Sequence, residues 1–411
     1  MTNSSQISSF RISFCPAGWR DWFFLEITTI SGEFGTSEFT ESHGPKYGLI
    51  STVHELSSQI VGQDCRNVME ILSALRRRNR QSLGGSTWKA ISAIENALWD
   101  LWSKIEGVLI SEILELGGSA TTNKWVPSYW SHCGTTRVRA ASAVFKQPIR
   151  NLTDLWELGS EVEQLKFQAF KTNLIDFRNE AEVLMPGFSR EFKSSRLVDD
   201  SFNDYLDSSL RAFTHNGELS AKPILDWNYN VDPDSYCTLL ETVAEFEPRW
   251  VEIDFNTIVD LEKLPNSNPV KICTGENLLG IDAYEPYFQS SAISVISIDL
   301  LWNGLSESIK IAKRAHAMGK NFTIHNYYSH FATSMALTFG ELVPGSDLLE
   351  YDMDDVPWRD AIVEREIILT DGQILLESHL GWGNTIQSDV ISSLSSPATI
   401  SYRKYSQYLD L

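Results

Sequence analysis

Residues 294–327 read SVISIDLLWNGLSESIKIAKRAHAMGKNFTIHNY. A short β-rich run, SVISIDL, carries Asp299 next to its end, and a second, NFTIHNY, carries His325. Between them ESIKIAKRAHAMGK spaces its apolar residues at helical intervals and stops at Gly319, a residue suited to the left-handed position that ends many helices. Strand, helix, strand is the unit of a parallel α/β fold.

The unit recurs outward in both directions. WVPSYW, FQAFKTN, ILDWNYN, RWVEIDF and VKICTGEN precede it and DLLEYD follows, which makes eight strand candidates with the two above. Polar residues close these runs at Lys171, Asp226, Glu252, Glu276, Asp299, His325 and Glu350, and from Asp226 onward the interval stays near 25 residues. That is about one strand, one helix and two short loops. Eight such units closing on themselves give a (β/α) barrel, whose functional groups sit at the C-terminal ends of its strands.

Residues 1–120 differ. FRISFC and WFFLEITTI read as antiparallel strands joined by a turn at Pro16 to Arg20, and GEFGTSEF continues the meander. A helix follows over TWKAISAIENALWDLWSKI, with Ser86 or Thr87 as its expected cap. The expected organisation is an α+β capping domain over 1–120, a barrel over 121–365 with a polar surface insertion at about 176–201, and a C-terminal segment, 366–411, returning to the cap. REIILTDGQILLESHLGWGN, with its turn at Asp371-Gly372, is expected to add strands there.

A net charge of −20 argues against nucleic acid or an anionic membrane as a partner, and 42% hydrophobic residues suffice for a full core. No apolar run is long enough to span a membrane and MTNSSQISS lacks the features of a signal peptide, so a cytoplasmic protein is expected. The five cysteines, Cys15, Cys65, Cys133, Cys237 and Cys273, show no CxxC spacing and are expected to be reduced.

Asp226, Glu252 and Glu276 close three successive strands. Three anions aimed at one another would repel unless a cation neutralised them, and magnesium, which takes oxygen ligands and leaves positions open, fits that need. His325 differs from His43, His54, His215, His316 and His379, which read as packing or surface residues, because it closes an apolar run with an acid, Asp299, one repeat earlier. A carboxylate bonded to one ring nitrogen orients an imidazole and raises its basicity, as a general base requires.

These residues, together with SAIENALWDLWSKIEGVLISEILELGG, DWN, WVEID, TGEN, the helix NGLSESIKIAKRAHAMG and the stretch IHNYYSHFATSMAL in that order, resemble the mandelate racemase and muconate lactonizing branch of the enolase superfamily. The resemblance implies a TIM-type (β/α)7β barrel with an α+β capping domain, and magnesium on Asp226, Glu252 and Glu276. It also implies abstraction of the proton next to a substrate carboxylate, and homo-oligomers. By position Lys171 matches the residue that neutralises the substrate carboxylate, while Asn173 stands where a second lysine often acts as base. Asn173, Asn228 and Glu350 are further candidates for contacting substrate.

With one evident base, His325, elimination of a β-hydroxyl is favoured over two-base racemisation, which points to dehydration of a small sugar acid. Racemisation or epimerisation, and a non-catalytic module binding magnesium and an anion, are the alternatives. WVEID departs from the Glu-Glu-Pro or Glu-Gln-Pro usual in the family. Asp299 meets the family pattern only with a one-residue deletion before Asn303-Gly304; otherwise Ile298 falls there and His325 loses its acid. The Pro16 to Asp21 turn is short for a substrate-contacting loop, so specificity is sought in Trp130, His132 or the insertion.

Overall fold

Strands β1 (Ile7–Ala17), β2 (Arg20–Thr29) and β3 (Phe34–Glu38) pair antiparallel in that order and carry helices α1 (Lys46–Ser58), α2 (Val68–Arg78) and α3 (Gly85–Glu106). The structure, a computed structural model, describes residues 4–116, 124–178, 181–184, 198, 200–265, 267–343 and 345–394. Much of the expected insertion, 179–180, 185–197 and 199, lies outside the described residues.

The barrel consists of β4 (Lys124–Ser131), β5 (Ala169–Asp176), β7 (Lys222–Asp226), β8 (Trp250–Glu252), β9 (Ile272–Thr274), β10 (Val295–Asp299), β11 (Asn321–His325) and β12 (Ser346–Asp352). Each pairs in parallel with the next, and β12 returns to β4 to close the ring. The eight expected runs are these eight strands. A short β6 (Glu182–Leu184) pairs antiparallel with β5.

Two expectations need correction. The tail forms β13 (Leu369–Thr370) and β14 (Gln373–Leu376), but β14 pairs antiparallel with β4 of the barrel and not with the cap sheet. Beyond it the chain meets the cap, where Gly381 and Trp382 donate backbone N–H groups to Ser103 and Asp100 of α3. And α3 begins at Gly85, after Gly84, with no side-chain cap, so neither Ser86 nor Thr87 serves as one. Gly319 does follow the helix Leu305–Ala317 in the left-handed region, at φ +70°.

Strand alternation fixes what faces the barrel axis. Tyr129, Ala169, Ile224, Trp250, Cys273, Val295 and Leu348, from seven of the strands, form a separate apolar cluster that plugs the interior. Two residues further along, the same faces carry Ser131, Lys171, Asp226, Glu252, Ser297 and Glu350. The plug is therefore a floor, and the polar layer stands on it.

On β9 the count would fail by one, because Glu276 is three residues beyond Cys273. Gly275 resolves this with φ +123°, and a Cβ there would stand 2.8 Å from the carbonyl oxygen of Ser297. Only glycine takes that backbone turn at such close approach, and Glu276 reaches the cavity as a result.

The cap is fastened by buried polar residues of α3. Asn96 bonds the carbonyl of Leu300 and the N–H of Leu305, Glu95 accepts from the N–H of Ser306, and Ser92 donates to the carbonyl of Trp302. These contacts span more than 200 residues of sequence and set the cap over the strand ends near Asp299. Among the described residues all five cysteines are free, and no helix is long and apolar enough to cross a membrane.

Candidate active site

A cavity of about 450 Å³ lies between the barrel mouth and the cap. The barrel contributes His132, Lys171, Asp226, Asn228, Glu276 and His325 to its wall, together with Tyr229, Asp254, Asn277, Trp302 and Tyr327. The cap contributes Glu41 to Pro45 in part, and Gly85, Ser86 and Lys89.

Asp226 and Glu252 are register partners on β7 and β8. With Glu276 they offer carboxylate oxygens all within 4.8 Å of one another, each residue buried. Burial raises the Asp226 carboxyl well above the usual range, and repulsion from Glu252 and Glu276 adds to this against the pull of Lys171. Burial likewise raises Glu276 to about 8, with Asp254 and Glu252 assisting. Glu252 Oε1 is buried without a hydrogen-bond partner. A buried acceptor normally has one, so an orphaned oxygen inside a convergent all-oxygen set suits a hard divalent cation.

Lys171 Nζ lies 2.8 Å from Glu350, 3.4 Å from Glu252 and 3.7 Å from Asp226. Burial alone would lower its pKa, but Glu252 and Glu350 outweigh that and hold the amine charged. Glu350 is fully buried, accepts from Ser131 and from the N–H of Asn326, and is kept strongly acidic by Lys171 and His325 against the effect of burial. Burial leaves Glu350 no solvated role. Neither Glu350 nor Asn173 is on the cavity wall. Asn173 instead donates to the carbonyl of Asp226 and to Asn228 Oδ1, which fixes Asn228 at the wall.

His325 and Asp299 are register partners on β11 and β10, and Asp299 Oδ2 lies 2.7 Å from Nδ1 of His325. The parity of β10 thus places the acid on the inner face and Ile298 in the outer core. The Tyr328 hydroxyl also donates to Asp299 Oδ2, and the N–H of Trp302 donates to Oδ1. Nε2 of His325 is 3.3 Å from Glu276. Burial works to lower the imidazole pKa, but Glu276, Glu350 and Asp299 outweigh it and hold it up at about 10.

Several wall residues were not singled out from sequence. Asp254 lies two residues past Glu252, accepts from Asn277 at 2.9 Å, and is raised to about 7 by burial with Asp226 and Glu252; its distance from Glu252 was the available signal. His43, set aside as a packing or surface residue, lines the cavity, and burial with the nearby His132 holds it down at about 4. His132 is on the wall as well. Trp130, sought as a specificity residue, points instead into the helical layer against Phe167 and Arg137.

Residues 210–390 match the family described as enolase C-terminal domain-like, and residues 2–115 match the mandelate racemase / muconate lactonizing enzyme N-terminal domain. A solved structure from Burkholderia xenovorans strain LB400, provisionally named L-alanine-DL-glutamate epimerase and bound to magnesium and fumarate, superposes with a TM-score of 0.89 at 30% identity, covering 95% of this chain and 96% of that one. The chain belongs to the mandelate racemase / muconate lactonizing enzyme branch of the enolase superfamily. Within this branch it is also similar to the D-galactonate dehydratase of Xanthomonas euvesicatoria pv. vesicatoria, 25% identical over 352 residues that make up 80% of this chain and 82% of that protein. An enolase-superfamily member from Salmonella Typhimurium shares the fold at a TM-score of 0.82 and 18% identity, over 94% of this chain and 97% of the other. The protein is accordingly an enzyme, of the lyase or racemase/epimerase kind, with an acidic triad suited to a divalent metal ion.

Proposed function

We propose that the protein removes the proton α to a carboxylate with the aid of magnesium held by Asp226, Glu252 and Glu276, and that the net reaction is dehydration of a sugar acid to its 2-keto-3-deoxy acid. The observation that carries this reading is the buried His325–Asp299 pair, 2.7 Å apart, set beside the triad through the contact of Nε2 with Glu276. When bound, the ion would neutralise Glu276, release His325 to act as a base, and supply positive charge where the substrate carboxylate gains electron density as its α-proton leaves.

The chain's own groups divide the remaining work. Lys171, held charged and pinned by Glu350, faces the cavity to bind the substrate carboxylate. Nε2 of His325 takes the α-proton while Asp299, itself fixed by Tyr328 and Trp302, holds Nδ1–H. The same imidazolium then returns its proton to the β-hydroxyl, which departs as water, and the enol product becomes the keto acid. Asn173 is tied to Asp226 and Asn228 and has no proton to exchange near neutral pH, so a two-base route lacks its second base at that position.

Dehydration is supported further by the D-galactonate dehydratase relatives. The epimerase name of the 30% identical relative favours a second reading, inversion at the α-carbon. Incubating the magnesium-loaded protein with a panel of sugar acids in heavy water separates the two. Keto-acid formation that is lost in His325→Asn supports dehydration. Deuterium uptake with inversion and no keto acid would select epimerisation, and neither signal across the panel would refute α-proton chemistry on sugar acids.

A further inference from the structure

The cavity has two chemically distinct ends. At the floor lie the carboxylates and Lys171, and at the roof lie residues of the cap. Lys89, on the first turns of α3, stands 3.5 Å over the ring of Trp302 and 2.5 Å from Glu41 Oε2. The Trp302 ring in turn is 5.7 Å from that of His325, which places the Lys89–Glu41 pair one aromatic ring away from the proposed base.

Glu41 is fixed by more than its lysine. Its Oε1 accepts the backbone N–H of Gly44 at 2.9 Å and of His43 at 3.3 Å, so the carboxylate is locked in place and Lys89 cannot shed it without leaving a buried anion. His43, beside this pair on the wall, is neutral at physiological pH. Arg20, close to Tyr327, is turned to Asp355 at 2.7 Å and is not on the wall. Among the described wall residues the roof therefore offers no free positive charge. It offers Lys89 as a fixed donor and Glu41 as a fixed acceptor side by side.

A second carboxylate arriving there would meet Glu41 and find Lys89 already neutralised, which costs specificity for diacids. Vicinal hydroxyls, each a donor and an acceptor, match the pair without any charge to bury. We infer that the roof is built for the neutral, hydroxylated tail of a monocarboxylate, with Lys89 and Glu41 as the residues that select an aldonate over the aldarate of the same stereochemistry. This rests on the reading of the site as one for sugar acids and narrows the substrate class within it.

The test measures binding as well as turnover, on the full chain loaded with magnesium. Calorimetry compares matched pairs: D-gluconate with D-glucarate, D-galactonate with galactarate, D-mannonate with D-mannarate. In the pair whose stereochemistry the site accepts, the monoacid is expected to bind at least tenfold more tightly. Glu41→Gln, which frees the Lys89 charge, is expected to shift that ratio tenfold or more towards the diacid. A wild-type protein that binds the diacids equally or more tightly overturns the inference, as does binding of neither class. Because the wild-type ratio needs no variant, a poorly folded Glu41→Gln leaves the test intact. Preferential monoacid binding without deuterium exchange or keto acid would sustain the roof's selectivity while refuting the proposed dehydration.

Discussion

Magnesium uptake should expel protons, and the geometry says how many. Asp226, Glu252 and Glu276 bring oxygens within 4.8 Å in a buried site. Two unit charges at that separation repel by about 3.5 kcal/mol at an effective dielectric constant of about 20. Repulsion of that size displaces a proton equilibrium by about 2.5 pH units, and burial acts in the same direction. The metal-free protein therefore keeps Glu276 protonated up to about 8 and Asp226 well above its usual range. At pH 7 a carboxyl titrating near 8 is about 0.9 protonated, and a cation coordinates only the ionised form.

At least one proton should thus leave per ion bound, and magnesium affinity should rise about tenfold per pH unit between roughly pH 6 and 8. Isothermal titration calorimetry at pH 7 in two buffers of different ionisation enthalpy reads the proton count from the change in apparent heat. Glu276→Gln should lose close to one proton from that count and bind more weakly. A count near zero in the wild type, or an affinity flat from pH 6 to 8, would refute the electrostatic account of the triad.

Three further outcomes are expected. His325→Asn should lower the rate of α-proton exchange about 10²- to 10⁴-fold while magnesium uptake, followed by calorimetry, persists. Gly275→Ala should cost about 1–3 kcal/mol, because φ is +123° and the new Cβ would meet the Ser297 carbonyl at 2.8 Å; scanning calorimetry would show a lowered Tm, and displaced Glu276 a weakened metal site. Glu38, buried between Thr40 and Ser329 at the cap–barrel contact, is raised to about 7 by burial. Its folded pKa exceeds its unfolded one, so stability falls as pH rises from about 4.5 to 7; with magnesium saturating, the loss of Tm between pH 5 and 8 should be shallower in Glu38→Gln, and an unchanged slope would count against it.

The sequence by itself determined the barrel and its order of parts. The apolar runs, their spacing near 25 residues and the helical period of 307–320 are local properties, since side-chain alternation along a strand and periodicity along a helix depend only on neighbours in the chain. The same locality exposed Asp226 and Glu252, each ending a run on the face that carries the plug below it, and marked Glu276, Asp299 and His325 as polar residues closing their own runs. What the runs by themselves left open was how two of these groups are aimed. Asp299 needed the register of β10 against β11 to be told from Ile298, and Glu276 needed the backbone turn at Gly275.

Only the tertiary structure decided the roof of the cavity. Lys89, Glu41 and His43 carry no local mark, and they reach the site because Asn96, Glu95 and Ser92 of α3 bind backbone groups more than 200 residues away. Docking of this kind depends on the fit of two surfaces and on where each buried polar group finds its partner, which no short-range pattern encodes. The chemistry at the floor is written in periodicity, whereas what the enzyme admits to it is settled by packing.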